Sequence, residues 1–227
     1  MLEPFAQHSR ALSVLQAQLR ATEPQKKRLW QSIVVAKVKN QAECLRLCSK
    51  NEAAESPFKM AERVKSGDAG NIEATAAQRY FPALFYPRFT RGSDSVINAA
   101  LNYGYAVIRG SAARHLAAYG FIPALGLDHQ SELNSFNLAD DIMEPFRPVI
   151  DQLVRRQVAD CDEDELTPRI KQMLFNSLNL DIISGGSHHS VAYAVERLVQ
   201  SLSRSLFEAK PALCLPELVE TSQHRYE

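Results

Sequence analysis

A histidine and three carboxylates lie close together near the middle of this chain. His129 falls in the stretch GLDHQSELNSFNLADDIMEPFRPVI; Asp140 and Asp141 follow eleven and twelve residues later, and Glu144 comes three after Asp141. Residues three apart share a helix face, so Asp141 and Glu144 are expected to project together. Such a pair facing a loop histidine can hold a divalent cation if the fold joins them. Carboxylate oxygens suit Mg²⁺ and Mn²⁺, and an added imidazole shifts the balance toward Mn²⁺. Spacing alone would equally suit a solvated acidic helix face.

The elements around these residues read as helices. Leu2 to Arg20 carries apolar residues near helical period. Thr22 offers an N-cap with Pro24 in the first turn, and the helix that follows runs to Cys48. Near its start, Lys26, Lys27 and Arg28 could touch phosphate or simply be solvated. A short segment from Pro57 to Lys65 precedes a turn, SGDAG. Asn71 can cap a helix through IEATAAQRYFPALF, which places Glu73 in the first turn, where the helix dipole favours an anion. The loop YPRFTRGSD interleaves aromatic and basic residues in a way that suits a nucleic-acid backbone with stacked bases. Asp94 is expected to cap a long helix ending at Gly120, a natural C′ residue. Inside it, Gly104 and Gly110 each cost about 1 kcal/mol against alanine, which suggests close approach by another backbone or a ligand. Ser135 or Asn137 starts the Asp/Glu helix, and Pro145 and Pro148 should bend it just after the carboxylates.

The last third says less about chemistry. Thr167-Pro168 opens a helix of about ten residues. Residues 181–187 suit a small hairpin, Val191 to Ala209 an amphipathic helix, and residues 211–227 a flexible or partner-docking tail. The pair His188-His189 reads as inert more readily than as a metal site.

Composition narrows the class. The chain has 227 residues, 45% hydrophobic, enough for a real core in one or two domains. Nine glycines argue against a turn-rich all-β fold. Lys+Arg and Asp+Glu are both 26, so any contact with nucleic acid must use local patches rather than overall charge. The four cysteines form no CxxC pair, no secretory signal is visible, and no run of about 18 apolar residues occurs. A cytoplasmic protein away from membranes is expected, with Cys44 and Cys48 buried on one helix face.

The run from Asp94 to Asp151 resembles the core of the CRISPR-associated Cas1 family, the spacer-acquisition integrases, in their type II form. The segments NAALNYGYA and FNLADDIMEPFRP carry the likeness, NIEATAAQRYFPALF resembles the upstream glutamate motif, and a weaker likeness reaches back through residues 2–71. The resemblance implies an all-α, multi-helix catalytic domain over 1–227. It implies that Glu73, His129 and Glu144 ligate Mn²⁺ or Mg²⁺, with Asp141 a further acidic residue at the catalytic site. It implies a metal-dependent DNA endonuclease and integrase that works with the small protein Cas2 and inserts short duplexes into a CRISPR repeat. Chemistry and proximity add Arg79, Tyr80, Arg88, Arg91 and Arg147 as holders of backbone phosphate. The competing expectation is a non-catalytic module that binds DNA or Cas2. Two departures stand out. The N-terminal β-domain that contributes to the family's homodimer is not in this sequence, which leaves dimerisation and the full integration complex open. Asp128-His129 stands where type II relatives commonly have two histidines, and the second position is expected to be the ligand.

Overall fold

Two long helices set the frame. In the computed structural model, which describes residues 11–161, 163–208 and 212–225, α2 (Glu23–Leu47) buries Leu29, Ile33, Val34, Val38 and Leu45. The second, α5 (Val96–Ala118), buries Ile97, Leu101, Ile108 and Leu116. Between them lies α7 (Arg147–Gln157), which packs against both. The helices α3 (Asn51–Ala61) and α4 (Ile72–Leu84) cover α2. Against α5 lie α6 (Asn137–Met143), α8 (Pro168–Phe175) and α9 (Val191–Ser205). A short helix, α1 (Ala11–Arg20), precedes α2; the part of its expected span before residue 11 lies outside the described residues, as does Ala209. The described structure is 63% helical, and one small sheet occurs among the described residues.

That sheet contains the expected hairpin. Strand β1 (Asp181–Ser184) pairs antiparallel with β2 (Ser187–Ser190), with Ile182 opposite His189. A two-residue strand, β3 (Pro216–Glu217), adds to the other edge of β1. The segment 212–225, expected to trail as a flexible or docking tail, is thus held by its own chain. Asn40 of α2 donates to the carbonyl of Pro216 at 3.0 Å and accepts from the amide of Leu218 at 3.1 Å.

Several helix starts differ from expectation, each for a local reason. Asp68, not Asn71, caps α4: its two carboxylate oxygens accept from the amides of Ile72 and Glu73, both at 2.9 Å. Asn71 instead takes a left-handed backbone, φ 48°, which turns the chain into the helix. Ser95, not Asp94, caps α5, accepting from the Asn98 amide at 3.2 Å. Two starts are as expected: Thr22 holds the N-cap position of α2, although its side chain makes no cap bond, and Asn137 is the first residue of α6. The end of α5 is as expected: Gly120 at φ +86° lets Phe121 donate to the Leu116 carbonyl at 2.9 Å. A β-carbon on Gly104 would stand 2.5 Å from Ile150 Cγ2, so α5 and α7 do approach closely there, whereas Gly110 faces open space. Pro57 lies inside α3, a helix longer than the short segment expected from the sequence.

Candidate metal and nucleic-acid site

Two prolines place the first carboxylate. Pro145 and Pro148 have no N–H, so the carbonyls of Asp141 and Glu144 lose their i+4 donors. Each takes an i+3 donor instead, from the amides of Glu144 and Arg147. The helix tightens into a 3-10 turn over Glu144–Phe146, and Asn40 bonds the Pro145 carbonyl at 2.8 Å. Glu144 is buried at this bend. Its Oε1 accepts from Arg147 at 2.8 Å, and its Oε2 contacts the Lys37 ammonium without the angle of a hydrogen bond. Burial pushes the Glu144 carboxyl up, but the charges of Lys37 and Arg147 outweigh it and hold the group at about 2.

Glu73 reaches the same ammonium from another direction. It sits in the first turn of α4, fixed by the Asp68 cap, and its Oε1 lies 2.5 Å from Lys37 Nζ. Lys37 is only 5% exposed, in the middle of α2. Glutamates from two separate elements therefore converge on one cation position.

His129 is built by its loop. The imidazole Nδ1 lies 2.7 Å from Asp141 Oδ1. Asp141 also accepts from the amides of Leu127 at 2.5 Å and of Asp128 and His129 at 3.3 Å. A side chain on Gly126 would strike the His129 carbonyl, 2.2 Å from an added Cβ, so the loop closes this tightly only with glycine. The hydrogen bond to Asp141 is the main cause that lifts the His129 pKa to about 9, against a smaller downward push from burial. Asp141 is fully buried and faces the loop rather than sharing the Glu144 face, so it orients His129. With the carboxylate on Nδ1, Nε2 is the ring nitrogen that could ligate a metal on giving up its proton, an arrangement common behind metal-binding histidines. Trp30 packs edge-on against the ring at 5.8 Å.

His129, Asp140 and Glu144 line one cavity of about 260 Å³ together with Asn102, Arg109 and Arg147. A larger cavity of about 880 Å³ lies elsewhere, between α2, α3 and the C-terminal strand, and contains none of these groups. Among the described residues, no three His, Cys, Asp or Glu side chains are grouped as a ready metal site. Lys37 stands between the two glutamates, Asp141 engages His129 and Arg147 engages Glu144. The donor set still fits a hard divalent cation, since the two carboxylates already share a cation position and Glu144 Oε2 has no directed hydrogen-bond donor.

The expected phosphate contacts divide. Tyr80 is wholly buried, and its hydroxyl donates to Asp151 at 2.9 Å, which excludes it from DNA. Tyr105 donates to the same carboxylate, and burial pushes Asp151 up to about 6. Arg147 lies 4.2 Å over the Tyr105 ring and Arg91 5.4 Å from it, both held in place by aromatic faces. Arg91 also bonds Asn98 and Asn102, at 2.7 Å for the latter. Arg79 is exposed and bonds Ser56 at 3.2 Å; Arg88 is exposed in the turn after α4. Lys37 and Asp68 were not evident as site residues. The signal for Lys37 was a lysine on the buried stripe of α2, between Ile33 and Gln41.

The family described as CRISPR associated protein Cas1 matches residues 1–165. The chain belongs to the Cas1 family. Cas1 is the endonuclease and integrase family of CRISPR adaptation. A relative named CRISPR-associated endonuclease Cas1, from Neisseria meningitidis serogroup C, is 44% identical over 226 residues, covering 99% of this chain and 74% of its own length. Among solved structures, a casposase bound to integration product superposes with a TM-score of 0.72 at 20% identity, over 91% of this chain and 72% of that one. A partial Cas6-RT-Cas1–Cas2 complex gives 0.72 at 19% identity, over 91% and 73%. At that identity the structural likeness speaks for the helical Cas1 fold. No described helix is long and apolar enough to cross a membrane.

Proposed function

We propose that this Cas1-family chain is a divalent-metal-dependent DNA integrase and endonuclease that joins short duplexes to a CRISPR repeat. The observation that carries the reading is the convergence of Glu73 and Glu144 on one cation position, with Glu144 and the oriented His129 lining one cavity. Glu73, Glu144 and His129 Nε2 would hold Mn²⁺ or Mg²⁺. When bound there, the ion lowers the pKa of an attacking hydroxyl and neutralises the phosphate. The 3′-oxygen of the incoming strand forms the new bond to phosphorus, the P–O bond to the displaced strand breaks, and a 3′-hydroxyl leaves. With water as nucleophile the same site cuts DNA.

The protein's own groups set the geometry. Asp141 fixes the ring of His129, Arg147 is braced on Tyr105 and Glu144 beside the cavity, and Arg79, Arg88 and Arg91 offer guanidinium forks to backbone phosphates. DNA and a Cas2 partner are the proposed binding partners; a solved structure titled with a Cas1–Cas2 complex supports the second. The homodimer belongs to the same reading.

The test is strand joining of a short duplex to a repeat-bearing plasmid with Mn²⁺. Joining should occur in the parent chain and lose most of its rate in Glu73→Ala, His129→Ala and Glu144→Ala. DNA binding without joining in the parent chain and all three variants, with Cas2 present, would favour a non-catalytic module.

A further inference from the structure

Lys37 does more than fill space between two glutamates. An ammonium buried in mid-helix is costly unless it is paired. Here it is paired twice, with Glu73 and Glu144, while Arg147 engages the other oxygen of Glu144. Two carboxylates and two cations close to zero charge with no metal ion present. A divalent cation entering between the same carboxylates would meet the ammonium at contact distance, and the cluster would carry two surplus positive charges. A phosphodiester brings negative charge into the cavity, and lysine has a flexible stem and three donors with which to follow it.

We infer that Lys37 is a built-in counter-cation that makes divalent-metal binding at Glu73 and Glu144 depend on bound DNA. The inference rests on the metal-site reading above and adds a coupling to it. Without DNA, the ammonium occupies the position and metal binds weakly. With DNA, the ammonium swings onto a phosphate and the carboxylates are released to the ion. Linkage makes the effect reciprocal: metal tightens DNA by the same factor that DNA tightens metal. Lys37 is a positioning residue in this scheme, acting on the site through the two glutamates.

The experiment measures free Mn²⁺ by electron paramagnetic resonance against the metal-free protein. It is done with and without a short duplex whose dideoxy ends prevent joining. In the parent chain the duplex should tighten Mn²⁺ by about tenfold or more, within the range of about 5–150-fold usual for coupled sites. Lys37→Met should bind Mn²⁺ about tenfold more tightly without DNA, and the duplex should then add little. Lys37→Arg, which keeps the charge, should retain the coupling. Lys37→Gln is the second neutral variant if circular dichroism shows that Lys37→Met does not fold, and it carries the same expectation. Neutral variants that bind Mn²⁺ no more tightly than the parent, or equal tightening by the duplex in all variants, would overturn the inference. Glu73→Gln and Glu144→Gln separate the two readings. Mn²⁺ binding that survives both removes the metal site and this inference together; binding lost in both, with coupling indifferent to Lys37, removes the inference alone.

Discussion

Asp141→Asn is the substitution whose consequences can be worked furthest. It keeps the size of the side chain and removes the negative charge behind His129. The His129 pKa, about 9 in the parent chain, should fall toward the ordinary 6.5. A fall of about two units corresponds to about 3 kcal/mol of interaction. The His129 side chain is 41% exposed, so solvent screening reduces its contribution to stability to about 1–2 kcal/mol. An amide must also turn its NH₂ toward the loop amides or toward the ring, which strands at least one buried donor at about 1–3 kcal/mol. The pH signature follows from the sign. A histidine whose folded pKa is raised contributes stability that is full below about 6.5 and is lost as pH rises through about 9. The parent chain should therefore lose stability across that window, and Asp141→Asn should show a flatter profile. Histidine NMR titration of the metal-free protein, with His129→Gln to assign the resonance, reads the pKa; urea melts from pH 6 to 10 read the slope. Mn²⁺ affinity should fall by about 10–100-fold, the usual cost of losing such an orienting partner. A His129 that titrates near 6.5 in the parent, or identically in the variant, would refute the reasoning.

Three further outcomes follow from the packing. Gly104→Ala should destabilise the chain by about 1–3 kcal/mol in urea melts, because its Cβ would meet Ile150 Cγ2 at 2.5 Å, and its loss should be less than additive with that of Ile150→Ala. Tyr80→Phe should cost about 1–3 kcal/mol and leave duplex affinity unchanged in fluorescence anisotropy, since the hydroxyl serves Asp151 rather than DNA. It should also push the Asp151 carboxyl above its present value of about 6, because it removes a donor from the ionised form. Glu144, held at about 2 by Lys37 and Arg147 against the opposing effect of burial, contributes stability present above about 4.5 and lost as pH falls through about 2. Melts of the parent and Glu144→Gln should therefore converge as the pH drops below about 3.

The helical architecture was legible in the sequence, whereas which side chains meet at the candidate site was legible only in part. Residue type and spacing singled out His129 and Glu144 but suited a solvated acidic face equally well, and it was the Cas1 resemblance that implied they are ligands. The bend at Glu144 was legible because proline removes a specific donor, and the structure shows those carbonyls taking i+3 partners instead. The role of Asp141 was not legible. Helix spacing gave it the face of Glu144, whereas its hydrogen bonds run to a loop that starts fourteen residues earlier, at Leu127. Tyr80 looked like a phosphate contact from its neighbours Arg79 and Phe81, but a buried acceptor from α7 claims its hydroxyl. Asn71 is a good cap by residue type, yet the turn places Asp68 closer to the first free amides of α4. Lys37 was hidden because a lysine on an apolar stripe carries no motif; only the partners brought by α4 and the Glu144 bend give it meaning.

The most direct measurement of the central claim is a crystal structure of the protein with Mn²⁺ and a short duplex, with the ion located by its anomalous scattering. One ion should lie at about 2.1 Å from oxygens of Glu73 and Glu144 and from His129 Nε2, with the Lys37 ammonium displaced toward phosphate. An ion bound away from these three side chains, or none while Lys37 still bridges the glutamates beside bound DNA, would contradict that claim.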